Sequence, residues 1–314
     1  MKGAVLGIDT SCYTTSVACF GDPGVLYDGR TVLPVEKGDR GLRQSEGVFL
    51  HTRQLPPLVE AAFAAVPPDS IRAVAFSRAP VSREDSYMPV FLTGMGVARA
   101  LAASLRVPLL SLDHQSGHIR AALIGNEALG AAPFYAVHVS GGTTDLLSVR
   151  TEAPGVLSIE PLGRSEDLHG GQLVDRVGVR LGCDFPAGKE LESLARTAVE
   201  KDVKIPASVR DLTCSLSGAE TAAIRALARG AAPEEVAYGI YDLLARTLTK
   251  LLENAARQRG ERPVLLCGGV ASSLLLRELL RDRCRLPLFF GESRFSSDNA
   301  VGVAALGFDR EVRK

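Results

Sequence analysis

Between Leu112 and Leu123 the chain reads LDHQSGHIRAAL, with two histidines four residues apart. On a helix, His114 and His118 stand one turn above each other on the same face, close enough for two imidazoles to share one ion. Two features weigh against that chemistry. Gly117 weakens a helix, and a stable metal site needs three or four donors where this stretch offers two. A further donor lies far down the chain. SSDNAVGVAALG, residues 296–307, begins with residues that suit a helix start, and Asp298 or Asn299 would be an ordinary N-cap there. A carboxylate at that helix start which also faced His114 and His118 would complete the set, leaving positions open for water or phosphate. The remaining histidines have no partner in the sequence: His51 and His138 default to structural roles, His169 to a surface or capping role.

A second kind of chemistry is written in turns. Residues 9–16, 140–145 and 268–273 are rich in Gly, Ser and Thr, and each follows an apolar run. Backbone amides in such turns can converge on an anion, and small side chains let phosphate oxygens approach. Singly these could be ordinary turns; three in one chain suggest a nucleotide-phosphate cradle. In EDLHGGQLVDRVGVRLG, residues 166–182, Asp167 and Asp175 lie eight apart around Gly170 and Gly171. A loop carboxylate and a helix carboxylate so placed could reach ribose hydroxyls, and the plain alternative is an N-cap and a solvated face.

The elements that must hold these residues are legible. GAVLGI runs into a polar turn and resumes as VACF; FYAVHV runs into SGGTTD and resumes as LLSV, so one hairpin design occurs twice. A third apolar strand, PVLLC, ends at Gly268–Gly269 and opens into a helical pattern. The clearest helix spans 233–259, with Pro233 in its first turn, Glu234 and Glu235 at its positive end, Arg257 and Arg259 at its negative end and Gly260 closing it. Shorter helices are predicted at 90–105, 188–200, 217–229 and 298–307. Strands alternating with helices in both halves make an α/β protein. A chain of 314 residues suits two domains, with the boundary expected near residue 112.

Composition narrows the function classes. With 36 basic and 36 acidic residues the chain lacks the cationic excess of an autonomous nucleic-acid binder, so such a role needs a local patch or a partner. Asp9 breaks the first apolar run before it could form a signal-peptide core, and no run reaches the ~18 apolar residues of a membrane span. The expected location is the cytoplasm, away from membranes. Six cysteines without CxxC spacing read as reduced, packed thiols.

GIDTSCYTTSVA, DHQSGH, VSGGTTDL, the Asp167–Gly182 segment, FPAGKELESLA, SLSGAET, LLCGGVASS and SDNAVGVA occur in the order of the TsaD family, which this chain resembles over nearly its whole length. The resemblance implies an actin-like ATPase (ASKHA) fold: two lobes of mixed sheets flanked by helices around a central cleft. It implies an N-terminal lobe of residues 1–112, completed by the helix at 298–314, and a second lobe of residues 113–297 carrying the metal and nucleotide site. The implied activity is transfer of threonylcarbamoyl from threonylcarbamoyl-adenylate to N6 of the adenosine beside the anticodon of tRNA. Through it His114, His118 and Asp298 correspond to ligands of a divalent ion, zinc or iron by donor type. Ser140, Gly141, Gly142, Thr143, Asp167, Gly171, Asp175, Gly188, Gly268, Gly269 and Ser273 fall at positions that hold ATP or adenylate. The family's partners are tRNA, a smaller paralogous subunit and an ATPase, which implies a heterodimer here, or a homodimer if the chain acts alone.

The chain also departs from the family pattern. Tyr13 and Thr14 replace an acidic pair, Thr143 a histidine and Ser273 an asparagine, and a glycine-rich loop gives way to residues 77–91 with Arg78, Arg83, Glu84 and Asp85. Losing two carboxylates changes the charge available for ion affinity and acid–base work. Three readings follow: the orthodox transferase, a nucleotide-binding regulatory partner that performs no transfer, and a carbamoyltransferase acting on another substrate.

Overall fold

The computed structural model describes residues 3–34 and 42–312, so the ends of the expected lobes at 1–2 and 313–314 lie outside the described residues. The chain divides into two compact units. The first runs through Ile124 and takes back Thr151–Ser158 and the chain from Ser297 onward; the second is Gly125–Arg150 with Ile159–Ser296.

In the first unit a five-stranded sheet has the order β3-β2-β1-β4-β5. Strands β1 (Ala4–Ser11), β2 (Thr14–Gly21) and β3 (Gly24–Val32) form an antiparallel meander, while β4 (Ile71–Ser77) and β5 (Leu109–Leu112) run parallel to β1. Side chains of a strand alternate between faces, and β1 is buried on both. Ala4, Leu6 and Ile8 join the core under α1 (Gln44–Ala65) and α2 (Phe91–Leu105). On the other face Gly7 meets α9 (Val301–Glu311) so closely that a Cβ would lie 2.7 Å from the Ala304 nitrogen. Burial on both faces explains why β1 reads as a continuous apolar run rather than an alternating one.

Helix α1 carries Pro56 and Pro57 inside it. Both prolines face solvent, as do Thr52 and Arg53 one turn earlier, whose carbonyls lose their helical partners and can be hydrated instead. His51, Leu55 and Val59 point inward and fix the helix to the sheet. Tertiary burial overrides the two breakers.

The second unit holds a sheet of order β12-β11-β6-β7-β8. Strands β6 (Phe134–Val139) and β7 (Thr144–Ala153) are antiparallel, β8 (Val156–Arg164) lies beyond β7, and β11 (Val264–Cys267) and β12 (Leu288–Phe290) run parallel to β6. A two-stranded ribbon is formed by β9 (Ser208–Arg210) and β10 (Thr213–Ser215). Helix α7 (Pro233–Arg259) spans the predicted residues, and its apolar stripe packs against α4 (Gly170–Arg180), α5 (Gly188–Arg196), α6 (Ser217–Ala228) and α8 (Leu274–Arg283).

The first unit runs past the boundary expected near residue 112, to Ile124. Helix α3 (His114–Ala122), assigned from sequence to the second lobe, belongs to the first unit because it crosses α9 at backbone contact. The crossing needs the glycine on α9: a Cβ on Gly302 would fall on the Gly117 carbonyl, whereas a Cβ on Gly117 would meet chiefly a Val303 methyl at 2.9 Å. Gly117 weakens the helix locally, and the cap and the packing of α3 hold it all the same. The six cysteines are free, and burial pushes the thiols of Cys19 and Cys267 up to about 12. Among the described residues no helix is long and apolar enough to cross a membrane.

Candidate metal centre and nucleotide cradle

Asp113 is the N-cap of α3, its carboxylate accepting from the Ser116 amide at 2.8 Å and the Ser116 hydroxyl at 2.7 Å. The loop after β4 supplies the Ala79 and Pro80 carbonyls to the amides of His114 and Gln115. The helix thus begins at His114, and the two histidine rings stack edge-on with centroids 4.4 Å apart. At the other end of the set, Asn299 accepts from the Val301 amide at 3.0 Å, which frees Asp298 from capping duty. Arg120 of α3 bonds Asp309 of α9 at 2.7 Å and adds a buried clamp to the crossing.

Three donors converge as a result. His118 Nε2 lies 3.0 Å from His114 Nε2 and 3.2 Å from Asp298 Oδ1, and His114 Nε2 lies 3.6 Å from the same oxygen. Ligands at ~2.0–2.2 Å from one tetrahedral ion are about 3.3–3.6 Å apart, so the three fit a single cation. Burial pushes the Asp298 carboxyl up, but hydrogen bonds and charge from both histidines reverse this and hold it below the usual carboxylate range. His114 is shifted well above the ordinary imidazole value: burial opposes its charge, and Asp9 and Asp298 outweigh burial.

In the sequence Asp9 breaks an apolar run and opens the polar turn at 9–16, with no link to the histidines, yet it is wholly buried and its Oδ2 lies 2.8 Å from His114 Nδ1. Ser77, at the end of β4, donates to the same oxygen. Burial raises the Asp9 carboxyl, and His114 and the hydrogen bonds from Ser77 and Ser11 bring it below its usual value. His51 takes the structural role expected of it: buried on α1, its Nδ1 lies 2.7 Å from the Thr15 hydroxyl, and burial holds it below the ordinary imidazole value. His138 pairs across the ladder with Asp145, and His169 precedes α4, where the Gln172 side chain accepts from its amide at 3.1 Å.

In the second unit the predicted ligand positions form a connected set. The Gly171 amide donates to the Ser140 carbonyl at 3.0 Å, and a Cβ on Gly171 would lie 2.6 Å from the Gly141 nitrogen. Gly268, with a left-handed φ of 94°, passes so near the Val139 carbonyl that no side chain fits. Asp175 stands one turn after Gly171 on α4, and its Oδ1 accepts from the Ala187 amide at 2.9 Å beside Gly188. Burial raises its carboxyl, partly offset by that amide. The Tyr241 hydroxyl donates to the Gly188 carbonyl at 2.9 Å and also bonds the Ser273 side chain, which caps α8. Gly269 follows Gly268 at the end of β11. The hydroxyls of Ser140 and Thr143 are 3.1 Å apart, and the amides of Gly142 and Thr143 donate to Ser140 Oγ at 3.2 Å, which shapes the turn. Tyr241 was not legible as part of this set, since its spacing on α7 matches an ordinary core position.

Asp167 departs from expectation. Its oxygens accept from the amides of Leu168, Leu216 and Ser217 and from the hydroxyls of Ser215 and Ser217. Although burial opposes its charge, these bonds hold the carboxyl far below the usual range. It pins the start of α6 to the segment before α4, and both oxygens already accept hydrogen bonds from the chain itself. Of the replaced acidic pair, Tyr13 is 42% exposed at a φ of 81° and Thr14 is buried. In the rebuilt loop, Arg83 and Asp85 pair with each other at 3.3 Å in solvent.

The architecture has known counterparts. HypF from T. kodakarensis superposes with a TM-score of 0.61 at 16% identity, covering 97% of this chain and 47% of that one. A ROK family glucokinase from Streptomyces griseus, solved with glucose and AMPPNP, gives a TM-score of 0.53 at 13% identity, covering 97% and 99%. These likenesses define the class: the chain has the actin-like ATPase fold.

The particular family is given by sequence. A model of TsaD, described as tRNA N6-adenosine threonylcarbamoyltransferase, matches residues 47–305, and the chain belongs to that family. A Thermotoga neapolitana protein of the same description is 30% identical over 319 residues, 98% of this chain and 94% of the relative. A Thermus thermophilus relative with that description is 31% identical over 321 residues, covering 98% and 93%. A Methanothermobacter thermautotrophicus protein, described as a probable bifunctional tRNA threonylcarbamoyladenosine biosynthesis protein, is 31% identical, and the chain spans 55% of its length.

Proposed function

We propose that this protein transfers the threonylcarbamoyl group of threonylcarbamoyl-adenylate to N6 of the adenosine next to the anticodon in tRNA, in the cytoplasm. The observation that carries the reading is the convergence of His114 Nε2, His118 Nε2 and Asp298 Oδ1 within 3.6 Å in a member of this family. A divalent cation, zinc or iron by donor type, would be held by these three groups and would supply Lewis acidity toward a phosphate or carbonyl oxygen. The chain's own residues supply the frame. Asp298 brings a negative charge, the two imidazoles bring neutral donors, and the α3–α9 crossing fixes their separation. On the second unit Gly171 and Gly268 allow close backbone approach, while Asp175, with Oδ1 taken by Ala187, offers Oδ2 to a ribose hydroxyl of ATP or of the adenylate. Ser140, Gly141, Gly142 and Thr143 would border the phosphate, and Gly188, Gly269 and Ser273 the nucleoside.

The neutral composition makes a partner part of this reading: a smaller paralogous subunit and an ATPase would complete the tRNA-binding surface. The replacement of an acidic pair by Tyr13 and Thr14 favours a second reading, a nucleotide-binding regulatory subunit without transfer activity. One experiment separates them. Zinc or iron content and adenylate binding are measured on wild type and on His114→Ala, followed by mass spectrometry of tRNA nucleosides after incubation with the donor and the partner proteins. One metal per chain, lost in the variant, with modified adenosine formed only by wild type, supports the transferase. Metal and nucleotide binding without modified adenosine supports the regulatory subunit, and metal content unchanged in the variant refutes the site.

A further inference from the structure

Asp9 interrupts an otherwise apolar strand and has 0% of its surface exposed. A charge so placed persists only if its neighbours satisfy it. Oδ1 accepts from the Ser11 amide at 2.9 Å; Oδ2 meets the Ser77 hydroxyl and, at 2.8 Å, His114 Nδ1. An ionised carboxylate has no proton to donate, so the proton in the last contact sits on the imidazole nitrogen. A neutral His114 is then the Nδ1–H tautomer, and its lone pair lies on Nε2. That nitrogen is the one aimed at His118 Nε2, 3.0 Å away, and at Asp298 Oδ1, 3.6 Å away.

Three structural features hold this contact in place. Alternation along β1 puts Asp9 on the face of Val5 and Gly7, the face that α9 covers. Ser77 ends the neighbouring parallel strand, so its hydroxyl steadies the carboxylate from the side. His114 is the first residue of a capped helix, which fixes its backbone, and its ring meets that of His118 edge-on.

We propose that Asp9 is a positioning residue of the candidate metal centre: it fixes the tautomer and orientation of His114 so that Nε2 is presented as a ligand. The proposal rests on the metal reading above and adds to it a residue outside the three donors. Carboxylate-to-histidine bonds of this kind tune ligand basicity and metal affinity.

Asp9→Asn tests it with little change in shape. The amide can still accept from Ser11, but its NH2 now faces Nδ1, which must accept in turn; the proton moves to Nε2, and the ligating lone pair is lost. Zinc titration of the whole protein should show affinity weakened about 10- to 100-fold. Histidine 15N spectra of metal-free protein, recorded above the imidazole's titration, should show His114 as Nδ1–H in wild type and Nε2–H in the variant. A merely structural role would leave the tautomer unmoved. Zinc affinity within about two-fold of wild type, with the Nδ1–H tautomer retained, overturns the proposal. If Asp9→Asn does not fold, Ser77→Ala loosens the same oxygen: weaker zinc binding supports the proposal and wild-type affinity overturns it. If wild type takes up neither zinc nor iron, the metal reading fails by itself, while the tautomer of metal-free wild type still decides the part Asp9 plays: Nδ1–H supports it and Nε2–H overturns it.

Discussion

Replacing Gly302 by alanine should dismantle the candidate metal centre without altering any of its donors. At the α3–α9 crossing the added Cβ would overlap the Gly117 carbonyl oxygen and lie 2.7 Å from the Gly117 carbon and 2.8 Å from the Ala121 nitrogen. Carbon pairs rest at about 3.5–4.0 Å, so the helices must separate by roughly 1 Å even before the oxygen is considered. Backbone cannot rotate aside as a side chain can. Overpacking of this kind costs about 1–3 kcal/mol, and contact with main-chain atoms puts the expected loss near the upper end. The functional consequence is sharper. Asp298 lies four residues before Gly302 and both histidines are on α3, so a 1 Å opening would move the oxygen from 3.2 Å to about 4 Å from His118 Nε2. Metal–ligand distances tolerate deviations of only about 0.2 Å. The assay is a pair of measurements, chemical denaturation of the metal-free protein and zinc titration, on Gly302→Ala beside Gly117→Ala. In the second variant the Cβ meets chiefly a methyl of Val303, at 2.9 Å. Alanine is worth about 1 kcal/mol over glycine inside a helix, so this change should be near neutral and keep the ion. A Gly302→Ala protein with wild-type stability and zinc affinity would refute the reasoning.

Three further outcomes are expected. Tyr13→Gly relieves a left-handed backbone at an exposed turn and should stabilise the first unit by about 0.5–1 kcal/mol, seen as a raised thermal midpoint; an unchanged or lower midpoint contradicts the strain. Asp167→Asn should cost about 0.5–2 kcal/mol at neutral pH through weakened bonds at the start of α6. Because folding depresses this carboxyl, its contribution is present above about pH 4 and lost as pH falls through the folded value, so denaturation from neutral pH toward acid should show a gap between wild type and variant that closes. Asp175→Ala should weaken adenylate or ATP binding by about 1.5–3 kcal/mol, roughly ten-fold or more by calorimetry, whereas Asp167→Ala should alter stability more than nucleotide affinity.

What could be read in the sequence and what could not follow a physical division. Helix α7 was legible to its ends because proline, end charges and glycine mark a surface that local chemistry controls. The repeated hairpin was legible for the same reason: its turns carry their own residues. Helix α1 was not, since Pro56 and Pro57 argue against it locally and only the burial of His51, Leu55 and Val59 makes it hold. The three candidate donors were readable as residue types, but Gly117 argued locally against the helix, which the Asp113 cap and the packing against α9 hold in place. Asp9 and Tyr241 act through partners 105 and 53 residues distant, at positions whose local pattern is that of a strand and a core stripe. Asp167 shows the converse. Its spacing suits a ligand, and what the spacing does not show is the pair of serines at 215 and 217 that bond it from 48 and 50 residues away.

The first unit is discontinuous: its last piece begins at Ser297, after the whole of the second unit has been made. On the ribosome, therefore, the sheet of β1 to β5 must wait with one side bare until α9 emerges. Asp298 belongs to that same later segment, so the candidate donor set is assembled across the whole of the second unit, and His114 and His118 lack their carboxylate until residues 297–312 have joined the first.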